Sequence, residues 1–334
     1  MYENLTEKES SFKCRRINNI NELEELVNVL SSCESLRFRG VNQAKYSMLT
    51  SLQRLCPDGC SHKVYMRNLL TRVKTNSDVC NFFSDNKIAI NDLSCIALMQ
   101  HLELPTPFLD FTVDIKIALA FAAYGVDFSS ISKEIEEYCS LYYFDLKSEC
   151  EVGLSLQTSL CEGKKKGIEV CNEYYEAHPG VMIDNSILRK IDEFIRWDEL
   201  DSLEFAFIEY QNFAPEVCTL DSQILDLTNP NLSKQKGGFA INLYKEDIPF
   251  ECNWNMRSKE NRMKLSVELQ SGEEFPFKGM HTNKMMNCID IRKEVINEWN
   301  MKNKIDLYDK SGRVENLKKI LVNIKKELDE NLLN

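Results

Sequence analysis

Four polar side chains, Gln100, His101, Asp110 and Thr112, lie in a stretch otherwise rich in leucine, alanine and phenylalanine. Polar groups held against a packed core need hydrogen-bond partners or a ligand. An imidazole titrates near neutrality and can pass protons, a carboxylate can act as a base, and a hydroxyl both donates and accepts. His101, Asp110 and Thr112 are therefore the candidate catalytic groups. Upstream, Arg39 stands before Gly40. There a guanidinium can clamp a phosphate or carboxylate with two parallel bonds, and a glycine lets a ligand approach the backbone. Arg54, Gln100 and Gln235 complete the candidate ligand-binding set. Each residue also has a purely structural reading. Arg39 could pair with Asp110, His101 could be a hydrogen-bonded core imidazole, and Gln235 could fix a loop. Both readings of Arg39 set it beside Asp110.

These groups need elements to hold them. Asn91–Leu104 reads as a helix with Leu98 and Leu102 on one side, stopped by Pro105 and Pro107. Asp110 and Thr112 then sit where a polar residue can cap a second helix, in which Ile115, Leu119 and Ala122 recur at core spacing. Ahead of them, Asn18–Leu30 is amphipathic, Leu36–Arg39 reads as a short strand ended by Gly40, and Ser61–Phe83 has helical spacing through Val64, Leu69, Val73 and Val79. Leu141–Leu146, Leu203–Tyr210, Gly238–Leu243, Phe250–Trp254 and Leu265–Leu269 read as strands. Val295–Lys302 and Val314–Leu332 close the chain as helices, the latter laced with lysine and glutamate. The polar stretch 147–190, with a Gly-Lys-Lys-Lys-Gly turn at 163–167, interrupts the strand pattern as an insertion. The expected fold is α+β: a mixed or mostly antiparallel central sheet surrounded by helices, in one large domain.

The 334 residues are 43% apolar, enough for a sizeable core. No apolar run reaches membrane-spanning length and no signal-peptide stretch opens the chain, so a cytoplasmic protein is expected. A net charge of −11 argues against a broad nucleic-acid surface. Thirteen cysteines at irregular spacing read as reduced thiols rather than a disulfide framework. Cys56, Cys60 and His62 lie close enough to share a metal, but no second ligand pair accompanies them, and Pro57-Asp58-Gly59 is an ordinary turn sequence. No metal is therefore assigned. Walker, zincin, nucleophile-elbow and dinucleotide-loop motifs are all missing from the sequence.

The arrangement resembles the FRG domain, a bacterial family. Three blocks carry the likeness: Phe38-Arg39-Gly40 with Tyr46, Leu49 and Leu52-Gln53-Arg54; Ala97–His101, Leu104-Pro105-Thr106, Leu109-Asp110, Thr112 and Ala118–Ala122; and Gln235-Lys236-Gly237-Gly238-Phe239. Ile305–Tyr308 and the terminal helix fit the family's ending. The resemblance implies a domain over 18–310 with the insertion at 147–190, a tail at 1–17 and an appended helix at 311–334. It also implies one polar pocket for a nucleotide-like or other anionic ligand. The alternative is a non-catalytic interaction or sensor module contacting a protein partner, in phage defence or a toxin system. Glu103, Pro107 and Phe111 stand where the family commonly has Gly, Arg and Trp, and Asn231 and Leu232 precede Gln235 where an Arg is usual. A fainter likeness to ADP-ribosyltransferases, through Arg39, Thr112 and Ala118–Ala122, makes NAD the candidate cofactor. Gln235 and Gly237 stand where those enzymes carry a late carboxylate.

Overall fold

The structure, a computed structural model, describes residues 1–86, 90–128, 131–145, 176–177, 205–209, 231–243, 246–256, 286–308 and 314–333. In chain order the elements are α1 (Leu5–Glu9), β1 (Lys13–Ile17), α2 (Ile20–Leu30), β2 (Leu36–Val41), α3 (Ser51–Leu55), α4 (His62–Thr75), α5 (Ser77–Asp85), α6 (Asp92–His101), β3 (Phe108–Thr112), α7 (Ile115–Ala123), β4 (Tyr138–Asp145), β5 (Phe205–Glu209), α8 (Asn231–Lys234), β6 (Gly237–Asn242), α9 (250–256), β7 (Asn287–Arg292), α10 (Lys293–Asn303) and α11 (Glu315–Leu333). The fold is α+β. The chain forms two compact units: Met1–Leu49 with Asp110–Cys150 and Asp247–Leu307, and Thr50–Leu109 with Glu151–Glu246 and Tyr308–Asn334.

In the first unit the strands run in the order β1-β7-β4-β2-β3. The β1–β7 pair is parallel; β7–β4, β4–β2 and β2–β3 are antiparallel. Side chains alternate across a strand, and here the two faces differ in chemistry. Ile17, Phe38, Leu141, Ile289 and Ile291 pack with Leu23 and Val27 of α2, Ala118 and Leu119 of α7, and Ile296 and Trp299 of α10. Tyr142 and Phe144 project to the other side. Tyr142 lies 4.8 Å from Phe12, and Phe144 meets Phe111 edge-on at 5.3 Å and Trp254 at 5.0 Å, ring centre to ring centre. A polar group is buried on that same face: Lys8 Nζ donates to Asp290 Oδ1 (2.5 Å) and Ser140 Oγ (2.6 Å), and lies 5.0 Å from the Tyr142 ring centre. Lys8 and Asp290 are 0% and 1% exposed. At that depth, removing one partner strands a charge, at a cost of about 3–5 kcal/mol.

The second unit is mostly helical. Leu69, Val73, Val79, Phe83, Ile96, Met99, Phe108, Phe239 and Ile241 share a core with Val314 and with Leu317, Leu321, Ile324 and Leu328, the last four of which, at three- and four-residue spacing, are the buried stripe of α11. β5 and β6 pair antiparallel.

Several local expectations change. Residues 250–256 are helical, not a strand: Phe250, Glu251, Asn253 and Trp254 are the buried positions, a helical spacing that puts Phe250 and Trp254 side by side at 5.9 Å. The Ser61–Phe83 run is two helices broken at Asn76, whose side chain accepts from the Asp78 and Val79 amides and caps α5; Val64 is exposed while Leu69 and Val73 are buried. Gly40 does not end its strand, which runs on to Val41. Asp110 and Thr112 belong to β3, and the cap of α7 is Asp114, which accepts from the Lys116 amide. The first 17 residues, expected as a tail, form α1 and β1 and bury Leu5, Lys8, Phe12 and Ile17. The strand expected at Leu265–Leu269, the turn at 163–167 and nearly all of 147–190 lie outside the described residues.

Candidate functional site

Phe38, Arg39 and Gly40 do three different jobs because they alternate along β2. Phe38 is buried in the helix-covered core. Gly40 points to the same side, where a Cβ would fall 1.7 Å from the Ala118 carbonyl oxygen and 2.8 Å from the Ala122 amide nitrogen. Its missing side chain makes room for the backbone of α7, not for a ligand. Arg39 projects to the opposite face, across from Tyr142 on β4. Its Nη1 donates to the main-chain carbonyl of Asp110 at 2.7 Å, so the two residues meet as expected, with a backbone oxygen as acceptor. The Asp110 side chain is exposed, whereas Thr112 is buried across from Phe38 and its hydroxyl accepts from the Asp114 amide at 3.0 Å.

The other four candidates belong to the second unit, in two groups and one outlier. Gln100 accepts a hydrogen bond from the Thr106 hydroxyl. Ser51 Oγ, in turn, accepts from the Thr106 amide at 2.9 Å and donates to the Leu104 carbonyl at 3.0 Å. The Pro-Thr-Pro segment is thereby laced to α6 and α3. His101 Nδ1 lies 3.3 Å from the Asn231 side-chain amide, and the Asn231 carbonyl accepts from the Gln235 amide at 2.8 Å. His101 and Gln235 thus gather around the first residue of α8. Beyond Gln235 the chain turns through Lys236 at φ +45° into β6, where Phe239 stacks on Phe108 at 4.8 Å. Arg54 is exposed in the last turn of α3.

Two buried or capping carboxylates escaped the sequence reading. Glu251 accepts from the Tyr2 hydroxyl at 2.5 Å and the Met48 amide at 3.1 Å, and burial raises its pKa above the ordinary carboxylate value despite those bonds. Glu246 accepts from the His62 and Lys63 amides at 3.0 and 3.1 Å and from Ser61 Oγ at 3.1 Å. Burial would raise its pKa, but those two amides and that hydroxyl outweigh it and leave it lowered. The segment weighed as a metal knuckle is a turn into a capped helix: Gly59 takes φ +79° and the Cys60 amide bonds the Pro57 carbonyl at 3.2 Å. Local sequence could not signal either carboxylate, because their partners lie roughly 180 to 250 residues away along the chain.

The fold and this strand-and-helix lock define an α+β protein built around a Phe-Arg-Gly strand. Residues 34–128 match the FRG domain, and the chain carries that domain there. The match spans β2 to α7, including Arg39, Arg54, Gln100, His101, Asp110 and Thr112; Gln235 lies beyond it. No curated protein and no solved structure matches the chain. Among the described residues no helix is long and apolar enough to cross a membrane.

Proposed function

We propose that this FRG domain protein binds a small anionic, nucleotide-like ligand and that Arg39 supplies the positive charge. One observation carries the reading: of the three residues in the Phe-Arg-Gly run, two are consumed by helix packing and only Arg39 faces away from α7. A cation on a rigid strand, steadied by the Asp110 carbonyl, is pre-organised for anion recognition. NAD is the candidate cofactor. Gln235 and Gly237 supply no carboxylate to stabilise a ribosyl cation, so the reading favours binding over rapid turnover.

Calorimetry with NAD, ADP-ribose, ATP and inorganic diphosphate tests this. At least one should bind at millimolar concentration or tighter. Arg39→Ala should weaken it by roughly ten- to a hundredfold, the value of about 1.5–3 kcal/mol for a charged hydrogen bond. Arg39→Lys should restore only part, since an ammonium cannot make the paired contact. His101→Ala, Gln100→Ala, Arg54→Ala and Gln235→Ala report whether each of those residues takes part in binding. Nicotinamide release from NAD, measured separately, would establish an enzyme. If no anion produces heat, or Arg39→Ala binds like wild type while remaining folded, the ligand reading fails and an interaction module becomes the better account.

A further inference from the structure

Cys14 on β1 stands directly opposite Cys288 on β7 in the parallel pairing, so their side chains leave the sheet side by side. Asp290, two residues beyond Cys288, faces the same way. One sulfur from each cysteine and one carboxylate oxygen all lie within 4.8 Å of one another, the one such group of three among the described residues. Cys288 and Asp290 are each 1% exposed, whereas Cys14 is half-buried and leaves a way in. Asp290 is held firmly: its Oδ1 accepts from Lys8 Nζ, Ser140 Oγ and, at 3.4 Å, Cys288 Sγ.

From this geometry we infer that Cys14, Cys288 and Asp290 form a binding site for a zinc-like divalent cation. Two thiolates and a carboxylate suit zinc in ligand type, and tetrahedral ligands at Zn–S of about 2.3 Å sit roughly 3.5–3.8 Å apart, a small side-chain rotation from the observed separation. Charge favours the same class. Two thiolates, one carboxylate, the Lys8 ammonium and a divalent cation sum to zero, which a buried site requires. Binding exchanges the two thiol protons for the metal and releases them to solvent. Lys8 and Ser140 hold the carboxylate in place through Oδ1, the part that outer-shell groups play in metal sites. Three protein ligands leave the fourth position to water or an exogenous donor.

Cobalt(II) and zinc, added to reduced, metal-free full-length protein, provide the probes. One equivalent of cobalt should bind with a sulfur-to-metal charge-transfer band, and zinc should displace it. Cys14→Ser and Cys288→Ser should each abolish the band, Asp290→Asn should shift it, and Ser140→Ala should weaken affinity by about ten- to a hundredfold. Because Cys288 is buried, a readout on the wild-type chain guards against misfolded variants: zinc should slow alkylation of Cys14, followed by peptide mass spectrometry, by at least about tenfold. Three results would overturn the site: unchanged Cys14 alkylation with zinc, a cobalt band retained in Cys14→Ser through the other cysteines, or a Cys14–Cys288 disulfide in protein prepared without reductant that forms again faster than metal binds.

Discussion

Gly40 is the residue whose identity the packing most strictly demands. Its closest neighbours are main-chain atoms of α7, at 1.7 Å from where a Cβ would stand, and main-chain atoms cannot rotate aside as a side chain can. Gly40→Ala should therefore push α7 off β2 and destabilise the first unit by at least the ~1–3 kcal/mol typical of overpacking. Urea unfolding checks this: the midpoint should fall at unchanged slope, and an unaltered midpoint would show that the helix can move without penalty. Arg39, one position earlier, carries the opposite expectation, a loss of ligand affinity with the fold intact.

Helix α4 begins without a side-chain cap from its own N-terminal Ser61. Glu246, distant in sequence, takes that place at the first two amides, where a negative charge also meets the positive end of the helix. Glu246→Ala should cost about 1 kcal/mol, the usual value of a lost cap. Because the Glu246 pKa is lowered on folding, its contribution is full above the ordinary carboxylate value and fades as pH falls through the lowered one. The variant and wild type should therefore converge in urea midpoint towards acid pH. Constant separation would assign the loss to packing alone.

Across the first unit, Glu251 ties α9 to the N-terminal Tyr2 and to the Met48 amide. Here the sign reverses. Burial raises the Glu251 pKa, so the folded state holds this proton more tightly than the unfolded chain does. That stabilisation is complete below the ordinary carboxylate pKa and is lost as pH rises through the raised value. Glu251→Gln, which mimics the protonated form, should gain on wild type in urea midpoint as pH rises from about 4 towards neutrality. A difference that shrinks over that window would mean the carboxylate folds ionised. The Lys8–Asp290 pair joins α1 to β7 in the same unit, and together these contacts make the first 17 residues part of the sheet's packing.

Much of the architecture was legible in local pattern. The three- and four-residue spacing of α2 and α11, the aromatic-rich strand β4 and the α+β class follow from side-chain period and propensity, which neighbours in sequence impose, whereas α6 ends at His101, ahead of Pro105, through Glu103 at φ +64°. The Phe-Arg-Gly run also pointed to the meeting of Arg39 with Asp110. Its chemistry was another matter: strand alternation alone separates Arg39 from Phe38 and Gly40 by face, but only the placement of α7 over Gly40 shows which face is the core and that the glycine serves packing. Phe250–Trp254 looked like a strand because aromatic residues are enriched in strands, and the helix was decided by a buried face against Phe144 and Phe111. Sequence determined which residues could be polar, buried or turn-forming; tertiary structure decided which of them meet. Lys8 with Asp290, Cys14 with Cys288 and Tyr2 with Glu251 are joined across most of the chain, where no periodicity or spacing reaches and only the closing of the sheet supplies the partner.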